Sequence, residues 1–101
     1  MALFCFHCRD GEFGERLRGL HREAHLAHVA ANAEDYAVAG PLKQDGKTIG
    51  SLLVIKAEDE QAARAKLEAD PYFSAGVWQA IRVNLFEPLL GDWAGPDAGE
   101  T

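Results

Sequence analysis

Residues 48–56, Thr-Ile-Gly-Ser-Leu-Leu-Val-Ile-Lys, form the strongest strand signal in the chain. Ile49, Ser51, Leu53 and Ile55 alternate with Gly50, Leu52 and Val54, which is the period of an extended strand. Both faces are largely apolar, so the strand is expected at the centre of a sheet. Lys43-Gln44-Asp45-Gly46 in front of it reads as a hairpin turn. Residues 36–42 form the other arm, and Pro41 places that arm at a sheet edge, where a missing N–H costs no ladder bond.

The remaining elements fall around this hairpin. A first strand is expected over 2–9, with Phe4, Phe6 and Cys8 on one face and Leu3, Cys5 and His7 on the other; Asp10-Gly11 ends it. Residues 12–18 read as a short helical turn, Gly19 as a break, and 20–33 as the main helix, with Leu20, Ala24, Ala27 and Ala31 as its sheet-facing stripe. A single continuous helix from about Phe13 is the alternative. Glu58, Asp59 and Glu60 suit the N-terminus of a second helix, which runs to about Ala69. Pro71 stops it by pushing Asp70 out of helical geometry. A turn through 72–76 leads to the last strand, 77–86, with Val77, Gln79, Ile81, Val83 and Leu85 on one face and Trp78, Ala80, Arg82, Asn84 and Phe86 on the other. Beyond Glu87 the Gly and Pro content rises and the pattern is lost. The expectation is one domain over 1–86 and a tail over 87–101.

The order βαββαβ is the split βαβ arrangement of ferredoxin-like α+β domains: a four-stranded antiparallel sheet, order 4-1-3-2, with both helices on one face. The open face carries Leu3, His7 or their alternating partners, together with Trp78 or its neighbours. An exposed sheet face bearing a Trp predicts a homodimer packed through sheets, with Leu89, Leu90 and Trp93 of the tail covering part of the partner.

Composition narrows the function. A chain of 101 residues, 48% apolar, builds one core. A formal charge of -6 argues against a nucleic-acid surface. Yet Arg9, Arg16, Arg18, Arg22 and all four histidines fall within the first 28 positions, which suits either a cationic pocket for an anionic small molecule or a solvated helix face. No run reaches the roughly 20 apolar residues of a membrane span and no signal-peptide pattern opens the chain, so a cytoplasmic protein is expected, with no membrane partner. Cys5-Phe6-His7-Cys8 matches C-x-x-C, but residues three apart on a strand face opposite ways, so strand packing is the reading and not redox chemistry.

In this topology the start of the main helix and the end of the second meet at one sheet edge. His25, in a helix beginning near His21, then becomes a neighbour of Asp70. A carboxylate that receives one imidazole N–H fixes the tautomer and leaves the other nitrogen free to take a proton. The plainer reading is a polar helix residue beside a helix stop. His21, His25 and His28 also share a helix face, but the spacing is H-x-E-x-H and not H-E-x-x-H, and Arg22 opposes a cation; no metal is expected. Gly40-Pro41 and Gly50-Ser51 complete the candidates, since a strand glycine admits a close ligand or backbone and Ser51 offers a hydroxyl. A bulge and a small packing residue are the alternatives. No G-x-S-x-G elbow or P-loop is present.

Asp10, Arg18, Arg22-Glu23-Ala24-His25-Leu26, Ala39-Gly40-Pro41-Leu42, Gly50-Ser51-Leu52, Asp70-Pro71-Tyr72 and Ala75-Gly76-Val77 follow one another in an order and spacing that resembles the YciI-like family of YCII-related domain proteins. The resemblance covers roughly Leu3 to Phe86. It implies a ferredoxin-like dimer related in fold to muconolactone isomerase, with a His-Asp pair at His25 and Asp70 and with Arg18, Arg22, Ser51 and Tyr72 around the pocket. Where this chain has Glu23 the family often has Pro, which implies a helix start near Arg22 and an added carboxylate near the pocket. The function so implied is a small cofactor-independent lyase or isomerase that moves a proton on an anionic or carbonyl compound. His25 is then the base and Asp70 its orienter; Arg18 or Arg22 holds the substrate's charge, Ser51 or Tyr72 donates a hydrogen bond, and Gly40 and Pro41 line the site. The alternative is a non-catalytic dimeric module that binds a metabolite or a protein.

Overall fold

The central strand does run through the middle of the sheet. In the computed structural model, which describes residues 1–94, β1 (Ala2–Asp10), β2 (Tyr36–Gln44), β3 (Lys47–Ala57) and β4 (Trp78–Phe86) form one antiparallel sheet in the order β2-β3-β1-β4. α1 (Gly14–Ala31), α2 (Glu60–Glu68) and the four-residue α3 (Pro71–Ser74) complete an α+β architecture compatible with the ferredoxin-like fold. Pro41 sits in the edge strand β2. Asp45 and Gly46 make the two-residue hairpin turn between β2 and β3 with φ of 52° and 78°, the positive pair that matches the twist of the strands.

β1 alternates as its sequence demands: Phe4, Phe6 and Cys8 are buried with Leu53, Ile55 and Ala57 of β3, while His7 is exposed. α2 closes this core. The Asp59 side chain accepts the Ala62 N–H at 2.8 Å and caps the helix, and Ala63 and Leu67 point inward and are fully buried. Burying a side chain such as Phe6 or Leu67 contributes about 2 kcal/mol each. Gly50 is needed here because a Cβ on it would collide with the Cys8 carbonyl of the paired strand.

Three expectations are corrected. α1 is one continuous helix from Gly14, so the alternative without a break at Gly19 holds. Gly19 costs the helix about 1 kcal/mol relative to Ala, which the good helix formers around it offset. Leu20, Ala24, Ala27 and Ala31 are all exposed, and the inward face carries Leu17, Arg18, His21, His25, His28 and Val29 instead. Apolar spacing located a stripe but not its direction, because α1 turns a mixed polar face toward the sheet. Trp78, lastly, is buried in the core and is not on the open face. Arg9 pairs with Ala80 but Asp10 pairs with Trp78, so Gln79 is an extra residue that reverses the alternation at the start of β4. From Ala80 onward the expected faces hold, with Ile81 and Val83 packed on the core. The tail expected over 87–101 is described to Ala94, with a 3-10 turn over Asp92–Ala94; 95–101 lie outside the described residues.

Candidate functional site

Asp70-Pro71 builds the first half of the site. Proline at the first position of α3 is pre-set for a helix, and Asp70 before it is extended, at φ -71° and ψ 130°, with its side chain capping the Tyr72 N–H at 2.8 Å. This leaves a carboxylate with 0% exposure. Such a group is costly to bury unless hydrogen bonds surround it. α1 supplies the missing partner: His25 Nδ1 lies 2.9 Å from both carboxylate oxygens. A carboxylate only accepts, so Nδ1 carries a proton, and in the neutral ring it is Nε2 that keeps its lone pair. The imidazole lies flat on the Tyr72 ring, centroids 3.8 Å apart and planes 2° from parallel.

His25 is the twelfth residue of α1 and not in its first turn. The positive end of the helix, whose influence is confined to the first turn, lies away from its ring. The middle of α1, and not its start, passes over the end of α2.

A second network abuts the first. Arg18 donates from Nε to Asp10 Oδ2 at 2.7 Å and from Nη2 to Asp10 Oδ1 at 2.9 Å, a two-point pair that neutralises the guanidinium. The same Nη2 donates to Ser51 Oγ at 2.9 Å and to the Gly50 carbonyl at 3.1 Å, and Trp78 Nε1 donates to Ser51 Oγ at 3.3 Å. The Tyr72 hydroxyl donates to the Arg18 carbonyl at 3.3 Å. Burial pushes this phenol up from its ordinary range; Arg18 and Arg22 oppose the shift and Asp70 adds to it, so the hydroxyl keeps its proton.

These two networks form the floor of a groove of about 810 Å³ between α1 and the β2–β3 hairpin. Its helix side is lined by Glu15, Arg18, Arg22, His25, Leu26 and Val29, and its sheet side by Ala39, Gly40, Pro41, Ile49, Ser51 and Leu53, with Lys43 and Lys47 toward the turn. Among the sequence candidates, Arg18, His25, Ser51, Asp70 and Tyr72 thus meet in one contact network, while Arg22, Gly40 and Pro41 line the groove without joining it. Glu23 is exposed and does not line the groove, so the expected extra carboxylate near the pocket is absent from its walls. A Cβ on Gly40 would meet no atom within 4 Å, so that glycine answers no close approach within this chain. Among the described residues, no three His, Cys, Asp or Glu side chains are placed to hold a metal ion, and no helix is long and apolar enough to cross a membrane.

Sequence reasoning gave no site role to two residues, Trp78 and Asp10, the second of which it named only as a strand end and within the family resemblance. Asp10 looked like the end of β1, and its signal was Gly14: a Cβ there would stand 2.6 Å from the Asp10 Cβ, so only glycine lets α1 start over that carboxylate. Trp78 carried no signal, because the extra residue that turns it inward is visible only in the strand pairing.

Comparison with known proteins agrees with this architecture. The YCII-related domain model matches residues 2–87. No functionally curated protein matches the chain. Among solved structures, 5-chloro-2-hydroxyhydroquinone dehydrochlorinase from Burkholderia phenoliruptrix, in complex with 2,5-dihydroxybenzoquinone, is similar at 27% identity and a TM-score of 0.72, over 81% of this chain and 90% of that one. A NIPSNAP domain protein from Burkholderia xenovorans shares 16% identity with a TM-score of 0.45, over 85% of this chain and 92% of that one.

Proposed function

Because this chain belongs to the YCII-related domain family, we propose that it is a small lyase or isomerase that moves a proton on a compact carbonyl or anionic compound without a cofactor. The observation that carries this reading is the imidazole held by Nδ1 on a buried carboxylate, 2.9 Å from each oxygen, with Nε2 left as the base. His25 Nε2 takes a proton from the carbon next to a carbonyl, and the buried Asp70 charge stabilises the imidazolium that forms. The resulting enolate either takes the proton back at another carbon, an isomerisation, or expels a leaving group from the adjacent carbon, an elimination. The similar solved structure is named for a dehydrochlorination, which is of the second kind.

In this reading the roles that the sequence left open divide among Ser51, Tyr72, Arg18 and Arg22. Guanidinium and indole N–H groups only donate, so Arg18 and Trp78 fill the acceptor positions of Ser51 Oγ, and its own proton is free to donate to a substrate oxygen. Tyr72 already donates to the Arg18 carbonyl and serves as the plate under His25. Arg18 is neutralised by Asp10, whereas Arg22 is exposed, so Arg22 is the side chain that meets the ligand's charge. In deuterated water, NMR should show exchange of acidic C–H protons in a panel of small ketones and enols with wild type and not with His25→Gln. Equal exchange by both proteins ends the assignment.

The chain acts, in this reading, as a cytoplasmic homodimer joined through the open sheet faces. Support comes from Leu3, Val38 and Val54, which line a second groove of about 660 Å³ with Phe86 and Leu89, and from Leu90 and Trp93, which also line it and are 81% and 89% exposed. A monomeric mass by light scattering at micromolar concentration would refute it. The same exposed residues favour the rival, a non-catalytic dimeric module that binds a metabolite or a protein. That reading expects His25→Gln to alter binding or nothing, and no proton exchange by wild type.

A further inference from the structure

Past His25 the groove changes character. β1 and β2 both run antiparallel to β3 and so lie parallel to each other, with α1 returning between them. The later turns of α1 therefore lie beside the start of β2, and its first turns beside the β2–β3 turn. On α1, Gly19, Arg22, Leu26 and Val29 recur at spacings of three and four and form one row along the groove. At about 1.5 Å of rise per residue, Arg22 stands about 4.5 Å to one side of His25 along the helix axis and Val29 about 6 Å to the other. Charge stops at His25: beyond it the helix lining is Leu26 and Val29, and the strand lining at that end is Ala39 and Leu53.

The strand wall follows from the pairing. Ala39 pairs with Leu53 and Pro41 with Ser51, and directly opposite residues share a sheet face. Leu53 lies in the core and Ser51 bonds to Arg18 of α1, which puts Ala39 and Pro41 on the helix-covered face as well. Both are nevertheless exposed, as is Leu26 at 48%. α1 thus leaves the outer strand uncovered, and an apolar wall on each side borders an open gap. Hydrocarbon that fills the gap takes both walls out of water at once.

We propose that this end of the groove, lined by Leu26, Val29, Ala39 and Leu53, is a subsite for a hydrocarbon group attached to the carbon that His25 deprotonates. The substrate class is an acid with an enolisable carbonyl, its charge on the Arg22 side of His25 and its hydrocarbon on the Val29 side. A 2-oxo acid has this order along its own chain: carboxylate, carbonyl, acidic carbon, hydrocarbon. The inference rests on the reading of His25 as base and Arg22 as charge partner. It adds the direction in which the substrate lies and what fills the far end.

Binding tests the subsite without turnover. The ¹⁵N-labelled protein is titrated with pyruvate, 2-oxobutanoate, 2-oxopentanoate and 2-oxohexanoate. Affinity should rise about threefold with each added methylene, as expected for hydrocarbon leaving water, and the longer acids should shift the backbone amides of Leu26, Val29 and Ala39. Leu26→Asn/Ala39→Asn changes two exposed positions, so the core is left intact, and should flatten the series. Leu20→Asn, exposed and outside the groove lining, should leave the series as it is in wild type. A flat wild-type series, a series that persists in the double variant, or shifts that fall on Leu3, Val54 and Leu89 of the second groove overturns the proposal. So do shifts of the Leu26 and Ala39 amides on dilution without ligand, which would mean that a second copy covers the wall. A graded series with no exchange of substrate protons would defeat the catalytic reading and leave the subsite standing; exchange with a flat series would do the reverse.

Discussion

α1 and α2 cover the same face of one sheet and do opposite things with it. α2 is short, capped by Asp59, and presses Ala63 and Leu67 onto β3 and the core. α1 is twice as long and buries only Gly14; its main contact is with α3, and it stands off the sheet. An inward face of arginine and histidine cannot pack onto strands as leucine does, and the gap it leaves is the groove. One helix holds the fold together, and the other holds the site open.

The sharpest way to break this contrast is to truncate one apolar residue on each helix. Leu67→Ala removes a fully buried side chain and should cost about 3 kcal/mol in urea denaturation. Leu20→Ala, at 68% exposure, should change stability by no more than about 0.5 kcal/mol. A cost at Leu20 near that of Leu67 would mean that the outer face of α1 is covered in solution, and the two helices would then be alike.

The same contrast explains what could be read before the fold was known. Strands β1 and β3 were legible because their two-residue alternation is enforced by burial on the helix-covered face, and Pro71 marked the end of α2 through backbone sterics alone. The Asp70 side of the site was legible for that reason. α1 was not, because its apolar residues lie outward and its inward residues are polar; a helix that lines a site breaks the rule by which helix faces are found. Trp78 escaped for a different reason. A single unpaired residue in β4 reverses the side-chain direction, and nothing in the local pattern near Gln79 announces it.

Asp70→Asn tests whether the half of the site built by α3 governs the half built by α1. The Asn oxygen can keep the Tyr72 N–H, which leaves its NH₂ facing His25 Nδ1. That nitrogen must then accept, so the ring proton moves to Nε2. Histidine ¹⁵N shifts should report the Nδ1–H tautomer in wild type and the Nε2–H tautomer in the variant. Stability should fall by about 1–2 kcal/mol, the cost of exchanging a charge-assisted hydrogen bond for a neutral one. If the reading of His25 as base holds, proton exchange falls by about a hundredfold or more. An unchanged tautomer would mean that the carboxylate does not control the imidazole.

A last effect, confined to alkaline pH, is expected where the core under α2 meets the carboxylates of the α1 site. Burial, with Asp10 and Asp70 adding to it, pushes the Cys8 thiol from its ordinary 9.0 to about 12. Burial, with Asp70 and Asp35 adding, raises Tyr36 from 10.0 to about 12. Each group is neutral when protonated and holds its proton more tightly in the folded state. Below pH 9 both states are protonated and the contribution to stability is complete; as pH climbs above 9 the unfolded chain loses the Cys8 proton first, so stability falls until about pH 12. The urea midpoint should therefore decline over that window. Cys8→Ala should flatten the part that begins near pH 9, whatever its effect on the midpoint at neutral pH, and Asp10→Asn should flatten it less, because burial is the larger cause. Should Asp10→Asn flatten the decline as fully as Cys8→Ala does, the site's charge and not the core's dryness would dominate at Cys8, and the boundary between the two helices' territories would have to be drawn one residue pair deeper into the sheet.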